Sequence, residues 1–295
     1  MLDAFEQINE TLQSLRLSIE SLKSEKSIFD SYVFPIVSSF FSAILGGLIA
    51  YWTIRRQERN QFEKENMNAS NRCILTAENS LLTLLAIKEN YFKELGTDPI
   101  QRIFCVSPIV GAKKSISFDV PTLAFIAPGQ HSKITKWNQV VQIDALFHNY
   151  NELLEIWEKF FEKSSVFKEE LIGKHSVSAV ADISIKDIVT EVGQRDLSIA
   201  SSLLERALSL TDSLILDFEE FVREFPKIAG SQIDTRRLKG YGKLFTMGGR
   251  EESIDHLLER VPSVNSEIFA ALLGLSPEEA QSFGSASEKR PNKSG

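Results

Sequence analysis

The sequence is poor in the residues that announce most chemistries. Cys73 and Cys105 are the two cysteines in 295 residues. They form neither a CxxC pair nor a Cys/His cluster, so no zinc site is expected. Two thiols this far apart make no disulfide framework, and they fit a reducing cytoplasm. The four histidines, His131, His148, His175 and His256, show no HExxH or HxH spacing. That pattern predicts surface or helix-face positions rather than metal ligands. There is no GxSxG elbow, no Walker loop and no dinucleotide fingerprint. The carboxylate pairs Glu169–Glu170, Glu219–Glu220 and Glu278–Glu279 read as solvated helix faces or caps. No cofactor and no metal are expected, and the chain carries no catalytic signature. A site assembled from distant residues would leave none in a single sequence.

Methionine and tryptophan are scarce too, at three each against 20 phenylalanines. This balance predicts a packed core rather than an adaptable Met-rich groove. A net charge of −7 argues against a nucleic-acid surface over the whole protein.

The most informative absence is of charge between Asp30 and Arg55. The 24 residues Ser31 to Ile54 carry none, and sixteen of them are apolar or aromatic. As a helix they extend about 36 Å, enough to cross a hydrocarbon core of about 30 Å. Pro35 falls in the first turn, where its missing N–H costs little. Tyr32 and the pair Tyr51–Trp52 stand at the two ends, as interfacial aromatics do. A transmembrane helix over 31–54 is therefore expected, with the lipid bilayer as its partner. A cleaved signal peptide fits less well, because a 30-residue segment rich in polar and charged residues precedes the stretch and no A-x-A site follows. Arg55, Arg56, Arg59, Lys64 and Arg72 follow the span, against Arg16, Lys23 and Lys26 before it. This bias predicts the N-terminus outside and the large C-terminal domain in the cytoplasm, at a plasma or inner membrane.

Residues 1–30 carry a heptad. Phe5, Ile8, Leu12, Leu15, Ile19, Leu22, Lys26 and Phe29 alternate at spacings of three and four. These are a and d positions of a coiled coil, with Lys26 as the polar exception. Pairing with a second copy buries such a stripe; lying on the lipid surface or packing on the chain's own domain are the alternatives. Within the span, Ser38, Ser42, Gly46 and Ala50 recur every fourth residue, beside Ser39, Ala43 and Gly47. Small residues at that spacing let two helix backbones approach. Leu12, Leu15, Ile19, Leu22, Ser38, Ser42, Gly46 and Ala50 are the candidate self-association residues of a homo-oligomer.

Residues 55–72 are nearly all polar and predict a charged helical stalk. From 73 to 283 the pattern is that of a cytoplasmic helical domain. Helices are expected over Cys73–Leu95, Ser132–Lys163 and Ile185–Phe225. In the last, Ile188, Ile199, Leu210 and Phe221 repeat every eleven residues, as do Val192, Leu203, Leu214 and Phe225. Gly193 is its expected weak point and Pro226 its stop. Arg102–Val106 and Ser115–Val120 suggest a small β-hairpin, and Asp119 with Pro121 a short helix through Ile126. Short helices are expected at Glu252–Arg260, Ser263–Leu273 and Pro277–Ser282, with a loop over Gly173–Asp182. The tail 284–295 should be disordered. The fold class is mostly α: an N-terminal coiled-coil helix, one transmembrane helix, then a soluble helical bundle with a small β-hairpin.

The best candidate for chemistry is residues 235–250, TRRLKGYGKLFTMGGR. Arg236, Arg237, Lys239, Lys243 and Arg250 occur there with four glycines, Tyr241 and no acid. Glycines let backbone N–H groups approach a phosphate and the cations neutralise it. Contact with a phosphorylated ligand, a nucleotide, nucleic acid or anionic lipid is one reading; a flexible basic loop is the other. The layout, an anchor before a cytoplasmic helical domain, suggests a bacterial or phage-associated inner-membrane protein. Without a catalytic signature, it fits a self-associating scaffold, signalling or membrane-acting defence protein with an unidentified cytoplasmic protein partner.

Overall fold

The computed structural model describes residues 2–21, 34–108, 115–129, 133–174, 185–238, 240–246 and 252–274. These are mostly helical, with no strand among the described residues. The chain divides into two compact units, Met1–Phe62 and Glu63–Gly295.

In the first unit, α1 spans Leu2–Ser21 and α2, Phe34–Glu89, begins. The heptad residues Leu12 and Ile19 lie on the exposed surface of α1 and Leu15 is half-buried. Leu22, Lys26 and Phe29 lie outside the described residues. Along α2, Phe34, Ile36, Phe40, Ile44, Leu45, Leu48 and Ile49 are all exposed. Arg55 and Arg56 then fold back over the rings of Tyr51 and Trp52, at 5.9 and 5.3 Å. This is the one helix among the described residues that is long and apolar enough to span a membrane.

The second unit is a helical bundle. Its core joins the later part of α2, α4 (Val140–Lys174) and α6 (Gln194–Gln232), with the short α3 (Pro99–Cys105) and α5 (Ile185–Val192) against α6. Phe147 and Tyr150 of α4 meet Phe218 and Phe221 of α6 ring to ring, while Trp157 pairs with Phe160 within α4 and Phe221 with Phe225 within α6. Such pairs add about 0.5–1.5 kcal/mol each beyond their buried area. Burial on α2 starts at Asn66, Met67 and Ser70, inside the segment that reads as a solvated stalk. The polar side chains there are matched rather than solvated: Ser70 Oγ donates to the Asn66 carbonyl at 2.9 Å.

Several expectations need correction. The β-hairpin is absent: Arg102–Cys105 is helical. Asp98 decides this, since its Oδ1 accepts from the N–H groups of Ile100 and Gln101 with Pro99 preset in the first turn. The turn of that hairpin, 109–114, lies outside the described residues. Asp119–Pro121 does open a short helix, of 3₁₀ type, over Val120–Ile126. The first bundle helix ends at Glu89, and α4 runs to Lys174, through Gly173.

The long helix expected over Ile185–Phe225 is two helices, parted at Gly193, its expected weak point. The Gly193 φ of 89° lies in the left-handed region that glycine tolerates. Of the predicted repeats, Ile188, Leu214, Phe221 and Phe225 are buried, Val192, Leu203 and Leu210 pack half-buried against the core, and Ile199 alone is exposed. Ala200, Thr211, Val222 and Ile233, one residue on from the first repeat, are all buried as well. Pro226 does not stop the helix, which continues to Gln232. Pro226 is itself buried, and burial of Ala229 and Ile233 just beyond offsets its missing hydrogen bond.

Glu252–Leu258 forms a 3₁₀ helix, and α7 (Ser266–Leu273) starts under the Asn265 cap and ends at Gly274 in left-handed conformation. The expected helix at 277–282, the tail 284–295 and most of the 173–182 loop fall outside the described residues.

Candidate functional site

The basic segment is strapped to the bundle rather than loose. Thr235–Leu238 forms a 3₁₀ turn with Leu238 buried. Beyond it, Asn71 of α2 acts as a short piece of backbone: its Nδ2 donates to the Lys243 carbonyl at 3.1 Å and its Oδ1 accepts from Phe245 N at 2.9 Å. One helix turn earlier, Asn68 Nδ2 donates to the Tyr241 hydroxyl at 2.7 Å, and Lys64 Nζ sits 5.1 Å from that ring. Gly240 turns the chain with φ 83°.

These ties shape the cations. Arg237 Nε donates to Asp234 Oδ2 at 2.8 Å, so an acid just ahead of the segment takes part of its charge. The same contact, with the Arg236 N–H, holds the Asp234 carboxyl below its ordinary value. Arg236 and Lys243 are exposed. Lys239 and Arg250 lie outside the described residues. Among its described residues the segment thus offers three exposed cations, Arg237, which is paired with Asp234, and Arg236 and Lys243.

The densest polar chemistry is elsewhere, and no motif pointed to it. Lys88 is 1% exposed and Arg102 is fully enclosed. Lys88 Nζ lies 2.6 Å from Asp212 Oδ1 and also donates to the Glu259 carbonyl. The second Asp212 oxygen accepts from Val261 N at 2.9 Å. Arg102 Nη2 donates to the Pro262 carbonyl at 3.0 Å, and its Nε stands 3.3 Å from Glu205 Oε1. Tyr91 completes the cluster, its ring 5.8 Å from that of Trp157, whose Nε1 donates to Thr211 Oγ1 at 3.2 Å.

Burial sets the electrostatics. It pushes the Glu205 carboxyl up to about 7, while the Arg102 guanidinium pulls it back. Burial also lowers Arg102 against the pull of Glu205, Tyr91 and Asp212. The Tyr91 phenol is pushed well up, first by burial and then by Asp212. Chemically the cluster is two cations facing two carboxylates, knit to the backbone of 259–262. Its signal in the sequence is one of phase. Glu205 and Asp212 stand seven apart, alongside the apolar face of Leu204, Leu208 and Ile215, and Lys88 follows the apolar run Leu84–Ile87. A charge on an apolar face needs a buried partner.

The other chemistry-bearing residues stay apart. His148 is exposed; His256 Nε2 stands 3.2 Å from Glu89 Oε2; His131 and His175 lie outside the described residues. Both cysteines are free, and burial raises both thiols, Cys73 the more strongly. Among the described residues no three His, Cys, Asp or Glu side chains gather to hold a metal ion. The self-association candidates Leu12, Ile19, Ser38, Ser42, Gly46 and Ala50 are all exposed on their helices, and an added Cβ at Gly46 would meet nothing within 4 Å. Compared with family models, curated proteins and solved structures, the chain matches none.

Proposed function

We propose that this chain is a single-pass membrane-anchored interaction protein, a scaffold or signalling component with a cytoplasmic helical domain. The observation that carries the reading is the bare apolar surface of α2. Phe34, Ile36, Phe40, Ile49 and Trp52 are each more than 60% exposed, in a helix long enough to span. Water does not favour such a run, while lipid or a second chain does. The arginines over Tyr51 and Trp52 fit the headgroup level at one end of the span. The Lys/Arg bias then sets the N-terminus outside, and the heptad of α1 with the small-residue ridge supports a homo-oligomer. A cytoplasmic protein partner is the expected target of the bundle.

Alkaline carbonate extraction of membranes from expressing cells tests the anchor. The full-length chain is expected in the pellet, and a variant lacking 31–54 in the supernatant. Recovery of the full-length chain in the supernatant would remove the basis of the proposal.

A second reading concerns oxyanions, and the exposure of Arg236 and Lys243 on a strapped segment favours it. Binding of inorganic pyrophosphate that falls steeply with salt, and is lost in Arg236→Ala/Lys243→Ala, is its expected result. No binding at low salt would sink it.

A further inference from the structure

The C-terminal part of the bundle is joined to the rest in an unusual way. Between His256 and Leu273 the chain crosses the end of α2, α3, and α6 from its first residue to its middle. Most of its ties are polar and run through backbone. Lys88 and Arg102 donate to the carbonyls of Glu259 and Pro262, and Asp212 accepts from Val261 N. Asn265 N donates to the Thr97 carbonyl at 2.8 Å, and Gln194 Nε2 reaches the carbonyls of Ala271 and Leu272. Apolar anchoring in the main core comes from four side chains, Leu257 and Leu272 with the half-buried Leu258 and Val261. Leu257 and Leu272 are buried in the main core, whereas Phe269 and Ala270 form a separate cluster with Val264 and Leu273.

We propose that His256–Leu273 is a strap that opens as a unit from the bundle, latched shut by the buried pairs Lys88–Asp212 and Arg102–Glu205. The physical reason lies in what each state does to the charges. Closed, four ionisable side chains are withdrawn from water, a cost that their mutual attraction only partly offsets. Opened, they regain hydration. An all-apolar joint of the same extent regains nothing on opening, so the charged joint is the easier to part. Elements of this kind populate the low-stability end of a fold and are the ones that move when a partner binds. An open strap uncovers Lys88, Arg102 and the seats of Leu257 and Leu272. This inference is independent of the membrane reading.

Hydrogen exchange on the full-length protein in mild detergent tests it, read by mass spectrometry. In the wild type, peptides covering 256–273 are expected to exchange together, and at least roughly tenfold faster than those covering 204–222 of α6. Lys88→Met leaves the Asp212 carboxylate buried without a counter-charge. It should speed exchange of the strap by a factor of about ten or more beyond whatever change α6 shows. Adding Asp212→Asn removes the stranded charge and keeps an acceptor for Val261 N, so strap protection should return. A packing role for Lys88 would show no such rescue, and that result would overturn the latch. Equal protection of strap and α6 in the wild type, which needs no variant, would overturn the strap itself.

Discussion

Lys88 and Asp212 are 124 residues apart in sequence and meet at 2.6 Å, with side chains 1% and 7% exposed. This contact fixes the end of α2 against the middle of α6 and seats the chain from Glu259 to Val261 on both. Buried pairs of this kind contribute little net stability compared with apolar replacements, but breaking one strands a charge.

Asp212→Ala is therefore expected to destabilise the second unit by about 3–5 kcal/mol. Urea unfolding followed by tryptophan fluorescence measures it, since Trp157 lies in the adjoining core. A loss under about 1 kcal/mol, the range of exposed ion pairs, would show that the pair is hydrated in solution.

Glu205 gives the fold a pH dependence of definite sign. Its folded value is about 7 against an ordinary 4.5. Between these values the folded state binds more protons than the unfolded one. The contribution to stability is complete below the lower value and is lost as pH rises through the higher. Between about pH 5 and about pH 8 the wild type should lose on the order of 1–3 kcal/mol relative to Glu205→Gln. Parallel stability curves for the two proteins would mean that Glu205 titrates alike in both states.

Asn71 closes two backbone hydrogen bonds on the 240–246 segment. Asn71→Ala should cost about 1–2 kcal/mol locally and expose Lys243 to trypsin. Limited proteolysis with the cleavage sites identified by mass decides it. An unchanged cleavage rate after Lys243 would assign the hold to Asn68 and Leu238 instead.

At Gly193 the strain is conformational alone. With φ at 89° and nothing within 4 Å of an added Cβ, Gly193→Ala should cost about 1–2 kcal/mol. A neutral effect on the thermal midpoint would imply that α5 and α6 join differently in solution.

Self-association is to be read in membranes. Leu15→Asp on α1 and Gly46→Leu in the span should each reduce the crosslinked dimer, because one charges the heptad seam and the other fills a close backbone approach. A dimer indifferent to both would assign these residues to lipid.

The sequence by itself determined the helical class, the apolar run before Arg55, the weak point at Gly193 and the short helix after Asp119. Each is local: periodicity, absence of charge, glycine conformation and proline geometry act over a few residues. The tertiary structure alone decided that Pro226 stays within a helix and that burial on α2 begins at Asn66, because burial against distant elements outweighed local propensity. The helix over 102–105 is local in origin, set by the Asp98 cap and Pro99. The basic segment was legible as composition, but its tether to Asn71 was not. The charge cluster was least legible, because Lys88, Arg102, Glu205 and Asp212 look like ordinary surface residues until the fold withdraws them from water and leaves each with the others as partners.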